Sequence, residues 1–558
     1  MSKRPSPPAF TRRAFLHTAA LATSASVLPG CDGDPPPMDA GLDAGSDAGP
    51  PIEEDAGILE RLPPRERTYE TFEHGIASGD PLTDAVILWT RVTPGTPTAP
   101  VPERVEVEWE LGAERAMSTI VASGAATTDA SRDFTVKLDV TGLSPGTTYY
   151  YRFRALGATS PLGRTRTAPE GAVDRLRFGF CSCASLAHGF YHAYGKLAQR
   201  ADLDAILHLG DYIYEYGNAG YGGRREHLPA HEILSLADYR ERYAQYRREP
   251  ELREVHRQHP FIAIWDDHET ANNSWSGGAE NHTEGAEGRW VDRLAAASQA
   301  YREWMPIREL DAGERLRLWR KLGYGALCDV IALDTRIWGR EEETENLVDP
   351  PVNDPDRQLL GADQEAWLFE QLRTSTARWK LIAQQVMMGA VSGFPNPDQW
   401  DGYPAARRRV LETIRDEGVS DVIVLTGDIH SSWAFDLPLD PTDEAAYDPA
   451  SGRGSLAVEL VTPAITSPGF PPVIARAGAS FVRNNRSLFF AELTRRGFVI
   501  LDLTEARAQA DWFFVGDVAL EDDDAEEHAA SWATAAGASH LVEALAPVPP
   551  RPDAPPLA

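Results

Sequence analysis

The chain has 558 residues, 42% hydrophobic and 25% charged, an ordinary soluble-globular composition with room for more than one domain and a large core. A formal net charge of −30 excludes a passive electrostatic role on nucleic acid, whose phosphate backbone calls for a basic surface. It leaves phosphate substrates open, because bound cations supply positive charge locally. Four cysteines, at 31, 181, 183 and 328, are too few for a disulfide framework.

The first element in chain order is Thr11-Arg12-Arg13-Ala14-Phe15-Leu16 followed by the small apolar run Ala19 to Leu28, a basic head and an apolar core too short to span a bilayer. The Arg-Arg pair with Phe-Leu resembles a twin-arginine signal, which predicts export in the folded state. Leu28-Pro29-Gly30-Cys31 reads as a lipoprotein cleavage box with Cys31 as the lipid-bearing residue, against a plain signal with an incidental cysteine. Residues 1–31 are therefore assigned to the signal. Residues 32–67 carry Asp-Ala-Gly repeats, prolines and acids that cannot bury a core, and are expected to be a disordered, self-repelling tether. Together they predict a periplasmic or cell-envelope location, with membrane contact only through the lipid anchor.

Residues 68–170 read as an all-β domain. Val105, Val107, Trp109 and Leu111 alternate with Glu106, Glu108 and Glu110, and Phe134, Val136, Leu138 and Val140 repeat the period of two. Short strands between Gly/Pro turns predict a β-sandwich of the fibronectin or immunoglobulin kind, with no clustered ligands and a structural role.

Residues 175–517 alternate apolar strands with helical stretches, which predicts an α/β sheet with helices on its faces. Each strand ends in polar residues. Leu176–Phe180 runs into Cys181-Ser182-Cys183, Ala205–Leu209 into Gly210-Asp211 with Tyr214 beyond, and Phe261–Trp265 into Asp266-Asp267-His268-Glu269. Val330–Leu333 runs into Asp334-Thr335-Arg336, and Val422–Thr426 into Gly427-Asp428-Ile429-His430. Ligands collect at the carboxyl ends of strands in such sheets, so these ends converge if the strands share a sheet. Residues 518–558 are assigned to an acidic tail.

Asp211 and Tyr214 offer a carboxylate and a phenolate from one turn, hard oxygen ligands for a strongly acidic metal; the competing reading is a buried strand with a polar turn. Asp267-His268 and Asp428-x-His430 each pair a carboxylate with an imidazole that can ligate a metal or move a proton. Cys183 can supply a thiolate, whereas Cys181 and Cys328 read better as small buried residues. Asp401, in the aromatic turn Trp400-Asp401-Gly402-Tyr403, could serve a Ca²⁺-like ion, and Arg293 could meet a phosphate oxygen bidentately or make a surface salt bridge.

Gly210-Asp211-x-x-Tyr214 resembles the second metal motif of purple acid phosphatases, whose tyrosine binds ferric iron, but the other blocks depart from that family. The ordered series is similar to the PhoD family of alkaline phosphatase/phosphodiesterases. It comprises His74-Gly-Ile-Ala-Ser-Gly-Asp-Pro81, Ser182-Cys183, Gly-Asp-Tyr-Ile-Tyr-Glu, Trp-Asp-Asp-His-Glu, Arg293-x-Ala-Ala, Glu303-Trp-Met-Pro306, Leu333-Asp-Thr-Arg336, Gln399-Trp-Asp-Gly-Tyr403 and Gly-Asp-Ile-His-Ser-Ser-Trp. The resemblance implies a metallophosphoesterase-like sandwich of β-sheets with flanking helices, and a site of one Fe³⁺ and two Ca²⁺ ions. It places Cys183, Asp211, Tyr214 and His430 on iron, Asp211 as a bridge, and Asp267, Asp401 and Asp428 on calcium. His268 and Arg293 become the catalytic, phosphate-contacting pair.

The implied activity is hydrolysis of phosphate mono- and/or diesters, in small molecules or polymers, by attack of a metal-activated water or hydroxide. The rival readings are a phosphodiesterase or phospholipase D-like enzyme acting on envelope polymers or lipids, and a catalytically degenerate surface binding protein. A metallo-β-lactamase-type hydrolase is disfavoured, since no His-x-His-x-Asp-His occurs.

Overall fold

The computed structural model describes residues 61–558 apart from 97, 99, 311–315, 472–473 and 475–477. The signal, Cys31 and most of the tether lie outside the described residues. In chain order the main elements are β1 (Ile76–Gly79), β2 (Ala85–Arg91), β3 (Val105–Gly112), β4 (Ile120–Thr128), β5 (Thr135–Thr141), β6 (Thr148–Ala155), β7 (Ala158–Thr159), β8 (Gly163–Arg166) and β9 (Arg175–Cys181). Next come α1 (His192–Ala198), β10 (Ala205–Leu209), α2 (Leu236–Tyr246), α3 (Pro250–Gln258), β11 (Pro260–Ile264) and α4 (Trp290–Trp304). They are followed by β12 (Arg320–Tyr324), β13 (Cys328–Ala332), α5 (Ala362–Thr374), β14 (Trp379–Ala383), α6 (Pro404–Asp416), β15 (Val422–Thr426), β16 (Ser432–Pro438) and β17 (Ser455–Val461). The chain closes with α7 (Gly478–Asn484), β18 (Leu488–Glu492), β19 (Gly497–Thr504), β20 (Arg507–Val515), β21 (Glu526–Ala535) and β22 (Val542–Glu543).

The strands that end in polar motifs do not share one sheet. β9, β10 and β11 run parallel in a ten-stranded sheet, and β13, β14, β15 and β17 run parallel in a seven-stranded one. The sheets stack face to face through one apolar layer that includes Phe178, Phe180, Leu207, Leu209 and Ile262 on one side and Val330, Leu381, Ile423, Leu425 and Val458 on the other. Each such side chain, fully buried, contributes about 1.5–3 kcal/mol. Strands buried on both faces read as continuous apolar runs, which is why Ala205–Leu209 and Val422–Thr426 show no alternation. Helices cover the outer faces. Tyr194, Leu197, Tyr239, Leu252, Val255 and Ala297 pack onto the ten-stranded sheet, while Leu368, Leu372, Val410 and Ile414 pack onto the seven-stranded one. At the start of α2 the Ser235 hydroxyl accepts from the Asp238 amide and the Asp238 carboxylate from the Ser235 amide, a capping box.

The N-terminal β region is a sandwich whose second layer is not its own. β3, β4, β6, β7 and β8 form a five-stranded sheet, but β1, β2 and β5 extend the ten-stranded sheet by parallel pairing of β1 with β11. Val86, Leu88, Val107, Leu111, Val136 and Tyr151 fill the space between. Buried Asp80, just after β1, ties three units together: its carboxylate accepts from the Arg308 amide at 2.7 Å and from the Arg320 guanidinium at 2.6 Å, and Arg320 opens β12 of the other sheet.

Two expectations change. Residues 61–67, read as the end of a disordered tether, are pinned: Leu62 bridges to Arg225, Arg65 pairs with Glu249 at 3.1 Å, and Arg67 with Glu73 at 3.2 Å. Residues 518–558, read as an acidic tail, supply β21 and β22 at the edge of the ten-stranded sheet, and the Ala558 amide donates to Gln258 at 2.8 Å. After Glu526 and Glu527, β21 is mostly small residues around Trp532 and pairs along β20, so the backbone is satisfied in the sheet despite the acidic run before it.

Gly79 sits where β1 meets β11, and a Cβ there would stand 2.1 Å from the Pro306 carbonyl oxygen and 2.7 Å from that of Phe261. Backbone atoms cannot swing aside as side-chain tips do. Gly79→Ala is expected to destabilise the chain by about 1–3 kcal/mol in urea unfolding, and an unchanged midpoint would show that the junction is not a tight seam.

Candidate metal centre and active site

The site lies where the parallel strands of both sheets release their carboxyl ends. After β9 the chain turns at Cys183, whose amide donates to the Gly210 carbonyl at 3.1 Å, and the Ala184 amide donates to the Asp211 carbonyl at 2.9 Å. The Glu269 carboxylate accepts the amides of Asp211 at 3.1 Å, Tyr212 at 2.6 Å and Asp266 at 2.8 Å, locking the turns after β10 and β11 into one register. Burial pushes that carboxyl up to about 7 against those amides. Gly210 permits the close approach: its φ is +103°, and a Cβ would sit 2.4 Å from Cβ of Asp266. Cys183, Asp211, Asp428 and His430 all have left-handed φ, between 53° and 63°. For non-glycine residues this costs on the order of 1–3 kcal/mol each and persists only where surrounding bonds over-determine it.

Three groups of ligand atoms come together, each within 4.8 Å: Cys183 with Asp211 and His430, Asp211 with Asp267 and His268, and Asp266 with Asp267 and Asp428. Tyr214 joins the first group, donating to Asp211 at 3.0 Å and lying 3.1 Å from His430 Nε2. Ser467 holds that phenol from behind, 2.6 Å away, and also donates to the Cys183 carbonyl at 2.9 Å. His430 Nδ1 lies 3.0 Å from the Pro468 carbonyl oxygen, which only accepts, so the ring proton belongs on Nδ1 and the Nε2 lone pair faces the cluster. Donation from the other ring nitrogen to a carbonyl is the usual posture of a metal-ligating histidine. Burial, reinforced by the Asp211 charge, pushes the Cys183 thiol well above its ordinary range; a cation reverses that direction.

His268 stacks on Tyr214, ring centroids 4.1 Å apart, and its Nδ1 lies 2.6 Å from Glu215 Oε2. Glu215 also accepts the Asn272 amide and the Asn281 side-chain amide, both at 2.8 Å. Burial works to raise the Glu215 carboxyl, but the adjoining His268 and the Arg293 charge bring it below its ordinary value. An ionised carboxylate fixes the proton on Nδ1 and leaves Nε2 for chemistry.

Two sequence-assigned residues fall elsewhere. Arg293 was read as meeting phosphate; its guanidinium instead donates to Tyr239 at 3.1 Å, to the Asn281 carbonyl at 2.7 Å and to Glu232 at 2.7 Å. Each of its three nitrogens carries a protein partner, and through the Asn281 carbonyl it braces the residue whose side-chain amide donates to Glu215. Asp401 enters none of the three groups; it accepts the Asn396 amide at 3.4 Å, and burial pushes its carboxyl up against the opposing Arg407 charge. The residue of that loop that reaches the site is Asp398, 2.6 Å from Arg336. Arg336 also meets Asp266 at 2.5 Å, Asp428 at 2.7 Å and Asp267 at 3.7 Å. Burial opposes its charge, but these carboxylates hold its pKa well above the ordinary value.

Two guanidiniums, Arg336 and the Arg340 that also meets Asp398, do not balance this much buried acid. Among the described residues no donor comes within hydrogen-bond distance of buried Asp266 Oδ2 or Asp267 Oδ1, the latter having only the Arg336 guanidinium at 3.7 Å. Burial and the neighbouring carboxylates push the Asp266 carboxyl well up against the Arg336 charge, while Asp267 is drawn down to about 2 against burial by the Arg336 and His268 charges and the Asn273 amide. Orphaned carboxylate oxygens in low dielectric are costly unless a cation meets them, so the donor set fits bound metal. Of the supporting residues, Glu215, Asp266, Glu269 and Arg336 stand inside the quoted motifs and were legible by position, whereas nothing in the sequence marks Ser467, Pro468 or Asp398.

Stacked sheets that deliver carboxylates, a thiol, a phenol and imidazoles to one shared edge define a metal-dependent hydrolase of the metallophosphoesterase type. Residues 178–512 match the family described as PhoD-like phosphatase, and residues 59–169 its N-terminal domain. Alkaline phosphatase D of Bacillus subtilis (strain 168) is 38% identical over 454 residues, covering 77% of this chain and 75% of that protein. The solved structure of PhoD superposes with a TM-score of 0.79 at 35% identity, covering 87% of this chain and 94% of that one. The chain belongs to the PhoD-like phosphatase family and is a phosphoric ester hydrolase.

If Glu215 sets the His268 tautomer, Glu215→Gln, which keeps the shape, should lower kcat about 10- to 100-fold with KM and the thermal midpoint little changed. Steady-state kinetics with p-nitrophenyl phosphate reads this, and an unchanged kcat would remove Glu215 from the mechanism.

Proposed function

We propose that the chain is an exported, metal-dependent hydrolase of phosphate monoesters and diesters, with one Fe³⁺ at Cys183, Asp211, Tyr214 and His430 and two Ca²⁺ among Asp211, Asp267 and Asp428. The observation that carries this is Asp211, which belongs to two adjoining ligand groups and so can serve two cations. A thiol, phenol, imidazole and carboxylate together suit iron, and the all-carboxylate group suits calcium. When bound, the cations neutralise phosphoryl oxygens and acidify a water for in-line attack. The chain's own residues do the rest: Glu215 fixes the His268 tautomer, His268 holds or donates a proton at Nε2 toward the departing oxygen, and Tyr214 packs on that ring so it cannot turn.

The twin-arginine-like leader and Cys31 support a lipid-anchored location in the cell envelope, with substrates among small phosphate esters or envelope polymers. Among the described residues no helix is long and apolar enough to cross a membrane.

Metal analysis of protein purified in folded form should find iron and calcium, and chelation should abolish turnover of p-nitrophenyl phosphate and lower the thermal midpoint. A visible tyrosine-to-iron charge-transfer band should disappear in Tyr214→Phe. Protein without iron and without activity after Ca²⁺ addition would sink the assignment, and the ratio of bis(p-nitrophenyl) phosphate to monoester turnover separates diesterase from monoesterase.

A further inference from the structure

Arg293 and Arg336 each spend their charge on carboxylate partners, Glu232 and the Asp266/Asp398/Asp428 cluster, whereas an arginine on another element at the same edge has none among the described residues. β19 runs antiparallel to β9, with Val499 opposite Phe180, so the residue before β19 stands at the edge where β9 releases Cys183. That residue is Arg496. Its Nε donates to the Thr466 carbonyl at 3.3 Å and its Nη1 to the Thr494 carbonyl. Thr466 and Ser467 belong to the same turn, so the loop that braces Tyr214 and His430 also braces this guanidinium.

The surroundings of Arg496 differ from those of the other two arginines. Among the described residues it makes no ion pair with a carboxylate; burial lowers its pKa to about 10, against the influence of Tyr221, Glu492, Asp517 and Tyr214. His188 is close enough to feel that charge: burial, then the charges of Arg496 and His430, push its imidazole down to about 3, so it adds no positive charge of its own. Arg496 is half-buried, and its guanidinium is weakly compensated beside the candidate iron ligands. In a chain of net charge −30 an anionic substrate is repelled at long range, and a guanidinium beside the metal centre adds to the local positive charge that bound cations would supply.

We propose that Arg496 is the substrate-contacting arginine, donating through its Nη2 edge to a phosphoryl oxygen held at the metal centre. This rests on the phosphate-ester reading above. The loss of a charge-assisted hydrogen bond is worth roughly a 10- to 100-fold change in affinity.

The experiment measures binding of inorganic phosphate to the full metal-loaded chain by titration calorimetry, with steady-state kinetics alongside. Arg496→Met should weaken phosphate binding and raise KM roughly 10- to 100-fold at unchanged metal content. Arg496→Lys, which keeps the charge but not the fork of donors, should fall between wild type and Met, and it carries the test if the Met variant does not fold. Unchanged phosphate affinity in either folded variant, with hydrolysis intact in the wild type, would overturn the Arg496 assignment alone. A wild type that binds phosphate through Arg496 but hydrolyses no ester would instead overturn the hydrolase reading and leave the anion site standing.

Discussion

The structure turns on a surplus of buried carboxylate. Asp211, Asp266, Asp267, Asp398 and Asp428 converge at the shared edge of two sheets, and Arg336 is the one guanidinium set among four of them. Charges taken from water cost several kcal/mol each unless paired, so the fold must hold this group by force. Its means are visible: Glu269 grips the turns after β10 and β11, Gly210 lets them touch, and the left-handed backbone of Cys183, Asp211, Asp428 and His430 aims four side chains inward. A site built at this expense is preorganised for cations, since little rearrangement is left for the moment of binding.

Much of this was legible in the sequence, for a physical reason. A strand buried on both faces must be apolar and must end where the chain meets solvent, so Ala205–Leu209 followed by Gly-Asp marks both an element and a site position. What such local reading cannot supply is which sheet each strand joins. It left open whether the polar strand ends share a sheet, and it did not reveal that β1, β2 and β5 of the N-terminal β region lengthen the catalytic sheet. Pairing partners are long-range facts, decided by register and by residues such as Asp80, which sits in a motif yet works as a structural tie between β1, Arg308 and Arg320.

The same limit explains the misassigned site residues. Arg293 and Asp401 carry the right chemical groups, but the fold gives them other partners: Glu232 and Asn281 bind the arginine, and Asp401 accepts the Asn396 amide and joins none of the three ligand groups. Ser467 and Pro468 act through a hydroxyl and a backbone carbonyl, groups that every loop possesses, and only the fold reveals what they face.

Arg496 brings these points together. A search of strand carboxyl ends passes over it, because it precedes its strand; the antiparallel run of β19 against β9 is what returns it to the functional edge. The three arginines then divide by what surrounds them. Arg336, encircled by acids, holds the ligand cluster together, and Arg293, tied to Glu232 and a carbonyl, stiffens the support of His268. A guanidinium at this edge without a carboxylate of its own has the least-offset charge to give to an incoming phosphate, and that surrounding, more than residue type or motif, sets Arg496 apart from Arg293 and Arg336.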